Sequence, residues 1–492
     1  MTENIQFPQA GPGITLEYQK MNNSVEVKQA DVVLLSYPLD YDQNGYDVTN
    51  RQLDLDYYSN RQSPDGPAMT YSIHAIVANA ISPSGCAAYT YTLNGILPYL
   101  RAPWFQFSEQ NDDNVITNGR QYPAFPFLTG HGGANQIVPF GFLGLRTDQP
   151  ELFLSPSLPP QIPRVVIRDF YFGGAGFAAV MNRTHTELTR FSTDNIPEVT
   201  DKWANGSAPI IVGTPIPEAE ESYSIAIGET IYIPNRQYFQ NATNPGNLLQ
   251  CRQIYSYDHY APGQFPQGAI DGAIATVWQP SSNSSAWVMV NTTSAPYQPI
   301  KELYFNWGAR PPMNATVYIG NTTKDCDGVQ ELVGQIIEIP IDAISPSDRY
   351  DEQEAAAAVV VPYMGNSTRL ILGNEVWSGN FAKLVIEGCF ECAQQEEEGH
   401  EPGATVAEWA LIGKDDYEQK YGPGMSNTEW YTEGSGNSSI VPQGGSSNGT
   451  QASGEAQGNG TTADPDANDM TSGQKRKAYG RIVKRNLYEK EY

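Results

Sequence analysis

Residues 164–191 read RVVIRDFYFGGAGFAAVMNRTHTELTRF, and this stretch decides the fold of the middle of the chain. It contains three short runs rich in β-branched and aromatic residues, which are Arg164–Phe172, Gly176–Met181 and His185–Phe191. Turn residues separate the runs, as expected for consecutive strands. The stretch therefore predicts an antiparallel β-layer.

The same kind of pattern continues on the C-terminal side. Two further candidate strands are Ile210–Gly213 and Tyr223–Pro234. A second β module begins near Gly263, and its candidate strands are Trp287–Asn291, Ile300–Trp307, Ala315–Ile319, Gln335–Pro340, Thr368–Gly373, Phe381–Glu387 and Thr405–Gly413. We predict an antiparallel β domain over residues 151–262 and a separate β-sandwich over residues 263–413.

Residues 1–150, on the N-terminal side of the strands, have a mostly helical pattern. In Pro67–Ile81 the apolar residues follow a 3.6-residue period, and proline occupies the first helical position. Further candidate helices are Val25–Pro38, Ala87–Leu100 and Asn135–Leu145. Aromatic loops rich in glycine and proline join them, which predicts a site at one end of a helical array.

Composition excludes several classes of protein. The 492 residues are 40% apolar, which is enough for hydrophobic cores and excludes a wholly disordered chain. No run of about 18 apolar residues exists, so the sequence predicts no membrane-spanning helix. The net charge of −26 argues against nucleic acid as the main partner, because phosphate binding needs clustered basic residues. Residues 414–492 are predicted to be a disordered Gly/Ser-rich tail with a basic end.

Twelve Asn-x-Ser/Thr sequons indicate the secretory route, since such sites accept N-linked glycans. They begin at Asn22, Asn182, Asn205, Asn241, Asn283, Asn291, Asn314, Asn321, Asn366, Asn437, Asn448 and Asn459. The first eleven residues lack the features of a signal peptide, so we expect the true N-terminus to lie upstream. The prediction is an extracellular, cell-wall or vacuolar protein; a cytosolic Asn- and Ser-rich protein is the alternative.

Five cysteines and five histidines leave little material for a metal site. Cys389 and Cys392 form a CxxC without a second such pair, so a disulfide between Cys326 and one of them is the favoured interpretation. Cys86 is the expected free thiol. We predict neither a metal nor an organic cofactor.

Four blocks of the N-terminal half carry a specific resemblance. They are KQADV at 28–32, SPDGPAMTYS at 63–72, RAPWFQFSE at 101–109 and LTGHGGANQ at 128–136. In this order they resemble the fungal acid trehalases of glycoside hydrolase family 65. The similarity runs from about Ile14 to Thr189 and more loosely to Gly413.

The resemblance implies an (α/α)6 catalytic barrel and inverting cleavage of α-glucosides. Twelve barrel helices of about 12 residues and their connections need about 200 residues, and only about 150 precede the β pattern. Residues 1–150 are therefore expected to be the C-terminal portion of the barrel. The general-acid Glu is expected to be absent, which makes this chain the C-terminal part of a trehalase-like enzyme.

A second resemblance concerns the β-sandwich. Asp271–Gly272, Thr276–Pro280 and Trp307–Gly308 resemble a discoidin-like, carbohydrate-binding jelly roll. The resemblance implies a glycan partner, such as a cell-wall glycan, for residues 263–413.

Asp65 is the candidate general base. Inverting hydrolysis needs two carboxyls about 6.5–9.5 Å apart, one of them ionised to activate water. Asp65 stands just before the predicted helix, whose positive end is expected to lower its pKa. Capping of that helix is the alternative role. Phosphorylases of the same family bind phosphate at this place, and a carboxylate repels that anion, so the resemblance favours hydrolysis.

Four further residues are candidates for substrate binding. Lys28 and Gln29 match the family's sugar-binding pair, with a surface helix start as the alternative. His131 lies in a predicted Gly-rich loop, where its alternative is a turn histidine. Trp104 offers a stacking platform, with a core role as the alternative, and Glu109 is a rival carboxylate.

The sequence thus predicts a truncated α,α-trehalase-like inverting hydrolase that converts trehalose and water to two glucose molecules. Two alternatives stay open. One is another α-glucosidase of the same family, and the other is a secreted, non-catalytic carbohydrate-binding protein.

Overall fold

The computed structural model describes residues 7–10, 13–22, 25–63, 65–82, 85–213, 220–236, 244–326, 329–341, 360, 365–390 and 403–413. The predicted tail over 414–492, with its three sequons, lies outside these residues, as does Cys392. Residues 101–105 fall outside the compact unit that the rest of the described chain forms.

Four α-helices occupy the described N-terminal region. They are α1 (Val48–Asn60), α2 (Thr70–Ile81), α3 (Cys86–Asn94) and α4 (Leu128–Gln136). A π-helix, Ile137–Phe142, continues α4, and one-turn 3-10 helices cover Val32–Leu35, Leu97–Tyr99 and Pro266–Ala269. The last two predicted helices are thus present with shifted ends, whereas α1 was not predicted.

The predicted helix over Val25–Pro38 is wrong, because its first half is extended. Val27 pairs in parallel with Gln62; its N–H donates to Arg61 and its carbonyl accepts from Ser63, both at 2.8 Å. These backbone groups are therefore used between segments and not within a helix. Only the single 3-10 turn at Val32–Leu35 follows.

Helix α2 also begins later than predicted, at Thr70 and not at Pro67. The N–H of Ala68 donates to the carbonyl of Glu109 at 2.8 Å, and the N–H of Met69 donates to the carbonyl of Pro67 at 2.7 Å. The intervening residues therefore form a turn that is bonded to a distant loop.

The strands confirm the β prediction in most of its bounds. They are β1 (Leu100–Arg101), β2 (Gln106–Phe107), β3 (Leu152–Leu154), β4 (Arg164–Phe172), β5 (Ala175–Asn182), β6 (His185–Phe191), β7 (Ala208–Val212), β8 (Glu221–Ile225), β9 (Thr230–Pro234), β10 (Gln253–Tyr255), β11 (Ala286–Asn291), β12 (Pro299–Asn306), β13 (Asn314–Cys326), β14 (Val329–Ile339), β15 (Ser367–Trp377), β16 (Phe381–Glu387) and β17 (Glu408–Gly413).

Four larger sheets result, with the strand orders β4-β5-β6-β9, β3-β7-β8, β10-β11-β16-β13-β14 and β15-β12-β17. All pairings within them are antiparallel except β3 with β7. The predicted run Tyr223–Pro234 is two strands, β8 and β9, which lie in different sheets. The described chain is thus a mixed helical and sheet structure with few helices.

Two large hydrophobic cores form among the described residues, and a small third cluster joins Ala68, Tyr99 and Phe107. The first draws buried side chains from α1, α2, α3 and the π-helix and from β3 and β5 to β9, while β4 packs partly buried side chains against it. Its members run from Ile14 to Ile233, together with Ala273 and Val360. The second lies between the sheets β10-β11-β16-β13-β14 and β15-β12-β17, and it includes the fully buried Trp278, Trp307 and Trp409. We call residues 244–413 the sandwich, because both of its sheets contribute to this second core.

A disulfide joins the helical N-terminal region to the sandwich. Cys86, the first residue of α3, bonds to Cys251 just before β10, with a Cα–Cα distance of 5.5 Å. The expectation that Cys86 is free is therefore wrong; its partner is 165 residues away, a separation that sequence spacing does not reveal. Cys389 is also disulfide-bonded. Its partner is outside the described side chains, so its pairing stays a prediction.

Candidate active site

Asp65 lies in a turn between two segments that come from different parts of the chain. The N–H of Gly66 donates to the carbonyl of Ser63 at 2.9 Å and closes the turn. On one side runs the segment of Lys28, whose carbonyl accepts from the Gln62 amide at 2.6 Å. The pairing of Val27 with Gln62 thus brings the predicted Lys28–Gln29 pair beside the Asp65 turn.

The loop 108–121 forms the other side of the turn. The side-chain amide of Gln110 donates to the carbonyl of Asp65 at 3.0 Å. Gly119, with a φ of +74°, comes so close that a Cβ there would lie 2.6 Å from Asp65 Oδ2. The hydroxyl of Thr117 and the N–H of Asn114 donate to Asp112 and hold this loop in place. Sequence reasoning missed Gly119, although Asn118-Gly119 is a turn signal.

The predicted lowering of the pKa of Asp65 is wrong, because the groups around this residue raise it. Partial burial raises the pKa of Asp65 above its ordinary value, and the negative charges of Glu26 and Asp112 raise it further. The expected lowering depended on a helix N-terminus, but α2 starts five residues later, and a helix dipole acts only near its first turn. The alternative role as a helix cap fails for the same reason, because the N-cap residue is Met69.

The two residues of the sugar-binding pair differ in their contacts. The side chain of Lys28 is exposed, and that of Gln29 is partly buried. The amide of Gln29 donates to Asp31 at 3.0 Å, a contact that sugar hydroxyls could replace. Neither residue belongs to a helix, because the nearby 3-10 turn begins only at Val32, so the alternative of a helix start does not apply.

His131 is not in a loop, because it belongs to the first turn of α4. Its Nε2 accepts a hydrogen bond from the N–H of Phe107 at 3.2 Å, and the centroids of the His131 and Phe107 rings are 4.8 Å apart. This contact fixes β2 against α4. Glu109 also has a structural contact, since its carboxylate accepts a hydrogen bond from the N–H of Ala124 at 2.9 Å.

Trp104 is 80% exposed, so the core alternative for this residue is wrong. It belongs to the segment 101–105, apart from the compact unit that holds the Asp65 turn.

The described residues show no group of three or more His, Cys, Asp or Glu side chains arranged to hold a metal ion. In the same part of the chain, no helix is both long and apolar enough to cross a bilayer. A cavity of about 60 Å³ reaches Ser63 from Tyr71, Asn94 and Gly263. It is too small for a disaccharide, and Asp65 does not line it.

Comparison with known proteins finds several close relatives. The chain is 44% identical to the acid trehalase of Emericella nidulans over 82% of its own length. It is 41% identical to the cell wall acid trehalase of Arthroderma benhamiae over 81% and 32% identical to the periplasmic acid trehalase of Saccharomyces cerevisiae over 69%. It spans only 38%, 39% and 31% of these relatives.

No family model matches the chain. Among solved structures, a putative kojibiose phosphorylase from the human microbiome matches 42% of this chain and 23% of its own, with 16% identity and a TM-score of 0.28. A chitosan-binding module of a Paenibacillus chitosanase/glucanase matches 34% of this chain and 98% of its own, with 14% identity and a TM-score of 0.23. The sequence relatives therefore carry the comparison: this chain is similar in sequence to fungal acid trehalases and spans less than two-fifths of the length of the first two.

Proposed function

We propose that the chain is part of an inverting α,α-trehalase and contributes Asp65 as the general base. The observation that carries this proposal is the 44% identity to an acid trehalase over 82% of the chain. The Asp65 turn supports it, because it lies against the segment that bears Lys28 and Gln29.

In this proposal Asp65 removes a proton from water, and the water attacks the anomeric carbon of one glucose unit. A general acid outside this chain protonates the leaving oxygen. Lys28 and Gln29 bind sugar hydroxyls, since both side chains donate hydrogen bonds. His131 and Trp104 are assigned to substrate binding as well, Trp104 by stacking on a sugar ring.

The proposal includes an organisation of the chain. Residues 1–150 are the C-terminal portion of an (α/α)6 barrel, residues 151–262 a β domain, and residues 263–413 a discoidin-like module that binds a neutral glycan. The names of the relatives, which include cell-wall, periplasmic and secreted enzymes, support an extracellular or cell-wall location.

A chimera tests the activity. The matching region of the Emericella nidulans acid trehalase is replaced by this chain, and glucose release from trehalose is followed at acid pH. NMR should show β-glucose and α-glucose forming together from the first turnover, as inversion at one anomeric carbon requires. A folded chimera that releases no glucose, or that releases only α-glucose initially, would contradict the proposal.

A second candidate is an α-glucosidase with another substrate. A protein-glucosylgalactosylhydroxylysine glucosidase of Dictyostelium discoideum is 34% identical over 34% of the chain. The same chimera decides between the two, because this alternative predicts faster hydrolysis of a glucosyl-galactoside than of trehalose.

A further inference from the structure

An aromatic pair stands out on the surface of the sandwich. The rings of Tyr297 and Trp377 stack with centroids 5.1 Å apart and an interplanar angle of 19°. Tyr297 is 68% exposed although the indole covers one side of its ring, so its other face is open to solvent. Trp377 is 37% exposed. We call these two residues the aromatic pair.

The backbone beneath the aromatic pair is held rigidly. The N–H of Gln298 donates to Ser378 Oγ and the N–H of Ser378 donates to the carbonyl of Gln298, both at 2.9 Å. Ser378 Oγ also donates to the carbonyl of Pro296 at 3.1 Å. Gln298 and Ser378 are both buried and directly follow Tyr297 and Trp377 in sequence. These hydrogen bonds fix the backbone next to both residues, and the stacking contact holds the two rings against each other before any ligand arrives.

Such rigidity has a consequence for binding. A side chain that is already held in place loses little conformational entropy when a ligand covers it. An exposed aromatic surface also gains free energy when it is covered, since water leaves apolar area. The aromatic pair thus has the properties of a preformed binding element.

The size and charge of the aromatic pair restrict the ligand. Aromatic side chains bury about 150–250 Å² each, so two of them supply far less than the ~800 Å² per partner of a specific protein interface. A ligand of ring size fits better. The two side chains are uncharged and the chain carries a net charge of −26, which disfavours anions.

We propose that Tyr297, supported by Trp377, is the stacking platform on which the sandwich binds a neutral β-glucan. A β-linked glucose ring has its hydroxyls equatorial and presents a flat face of C–H groups, and these partially positive hydrogens match the negative face of an aromatic ring. This inference deepens the glycan-binding role proposed for residues 263–413 and rests on it.

The test uses the whole chain and titrates it with laminarihexaose by calorimetry. Tyr297→Ala is expected to weaken binding at least tenfold, and Trp377→Ala to weaken it because the tyrosine ring loses its support. Tyr297→Phe should bind as the unmodified chain does, because the ring remains. Tyr257→Ala is the matched control, since Tyr257 is a tyrosine of the sandwich that is 59% exposed elsewhere. Circular dichroism and thermal melts confirm folding of each variant.

Two outcomes would overturn the platform. If Tyr297→Ala binds laminarihexaose as well as the unmodified chain does, the glycan binds elsewhere on the sandwich, and only the glycan-binding role remains. Absence of binding by the unmodified chain would remove both. Trehalose turnover by the chimera is a separate readout, because it tests the proposed hydrolase activity and not glycan binding by the sandwich.

Discussion

Asp65 takes its position and its pKa from residues that are distant in sequence. Lys28, Gln62 and Gln110 hold the backbone around it, and Glu26 and Asp112 act on its charge. The sequence block around Asp65 identified the residue as a candidate. It could not predict the direction of the pKa shift, because that direction depends on which carboxylates the fold brings near.

Gly119 is the residue whose substitution tests the walls of the site. A Cβ at position 119 would meet Asp65 Oδ2 at 2.6 Å, so Gly119→Ala should displace the carboxylate. The left-handed backbone adds about 1 kcal/mol of destabilisation. In the chimera we expect turnover to fall at least tenfold, while urea unfolding of the chain shows only the backbone cost.

Gly228→Ala is the matched control for this prediction. Gly228 has a similar φ of +80°, but a Cβ there has no atom within 4 Å. Gly228→Ala should lower the free energy of unfolding by a similar amount and leave glucose release from trehalose unchanged. Equal turnover in the two variants would show that Gly119 does not position Asp65.

At the scale of elements, strands were more predictable than helices. The bounds of β4 and β6 follow from local runs of β-branched and aromatic residues between turns. Residues 25–29 also have an apolar pattern, but their backbone pairs with residues 61–63, and this tertiary contact overrides it. The helix over 25–38 was wrong for that reason.

Helix α1 has a local start signal that its apolar pattern does not reveal. Asp47 caps this helix by accepting from the N–H groups of Thr49 and Asn50, and Asn50 accepts from the N–H of Asp47 in return. Such a reciprocal arrangement is a recognised start signal. The weak apolar period of the helix hid it.

At the scale of the whole molecule, buried carboxyls lie where the helical region meets the sandwich. Asp271 and the β17 residue Glu408 are 1% and 3% exposed. Glu408 accepts from the N–H of Gly272, and Asp271 accepts from the hydroxyl of Thr276. Asp56 of α1 and Tyr91 of α3 line an adjacent cavity of about 150 Å³ with residues 272–274.

Burial, together with the nearby charge of Asp56, raises the pKa of Asp271 to about 7. The pKa of Asp56 is also raised to about 7, mainly by burial, and that of Glu408 is raised in the same way. When the pKa of a carboxyl is higher in the folded protein than in the unfolded chain, the carboxyl stabilises the folded protein at acid pH, where it is protonated. That stability is full below about pH 4 and is lost as pH rises through 7.

Thermal and urea unfolding at pH 5 and pH 8 test this coupling. The free energy of unfolding should be lower at pH 8, by on the order of 2 kcal/mol for each of Asp56 and Asp271. Asp271→Asn should reduce this difference, since the amide keeps an acceptor for Thr276 and does not titrate. Asp194→Asn, at an exposed position, is the control. A pH dependence unchanged by Asp271→Asn would contradict the assignment.

The most direct test of the central claim compares two carboxylates in the chimera. Asp65→Asn removes the proposed base, whereas Glu109→Gln removes a carboxylate charge and keeps an oxygen that can accept from the N–H of Ala124. Initial rates of glucose release from trehalose at acid pH should fall at least a thousandfold for Asp65→Asn, with trehalose binding retained, and stay within a few-fold for Glu109→Gln. Near-normal turnover by Asp65→Asn, or abolished turnover by folded Glu109→Gln, would contradict the assignment of Asp65 as the base.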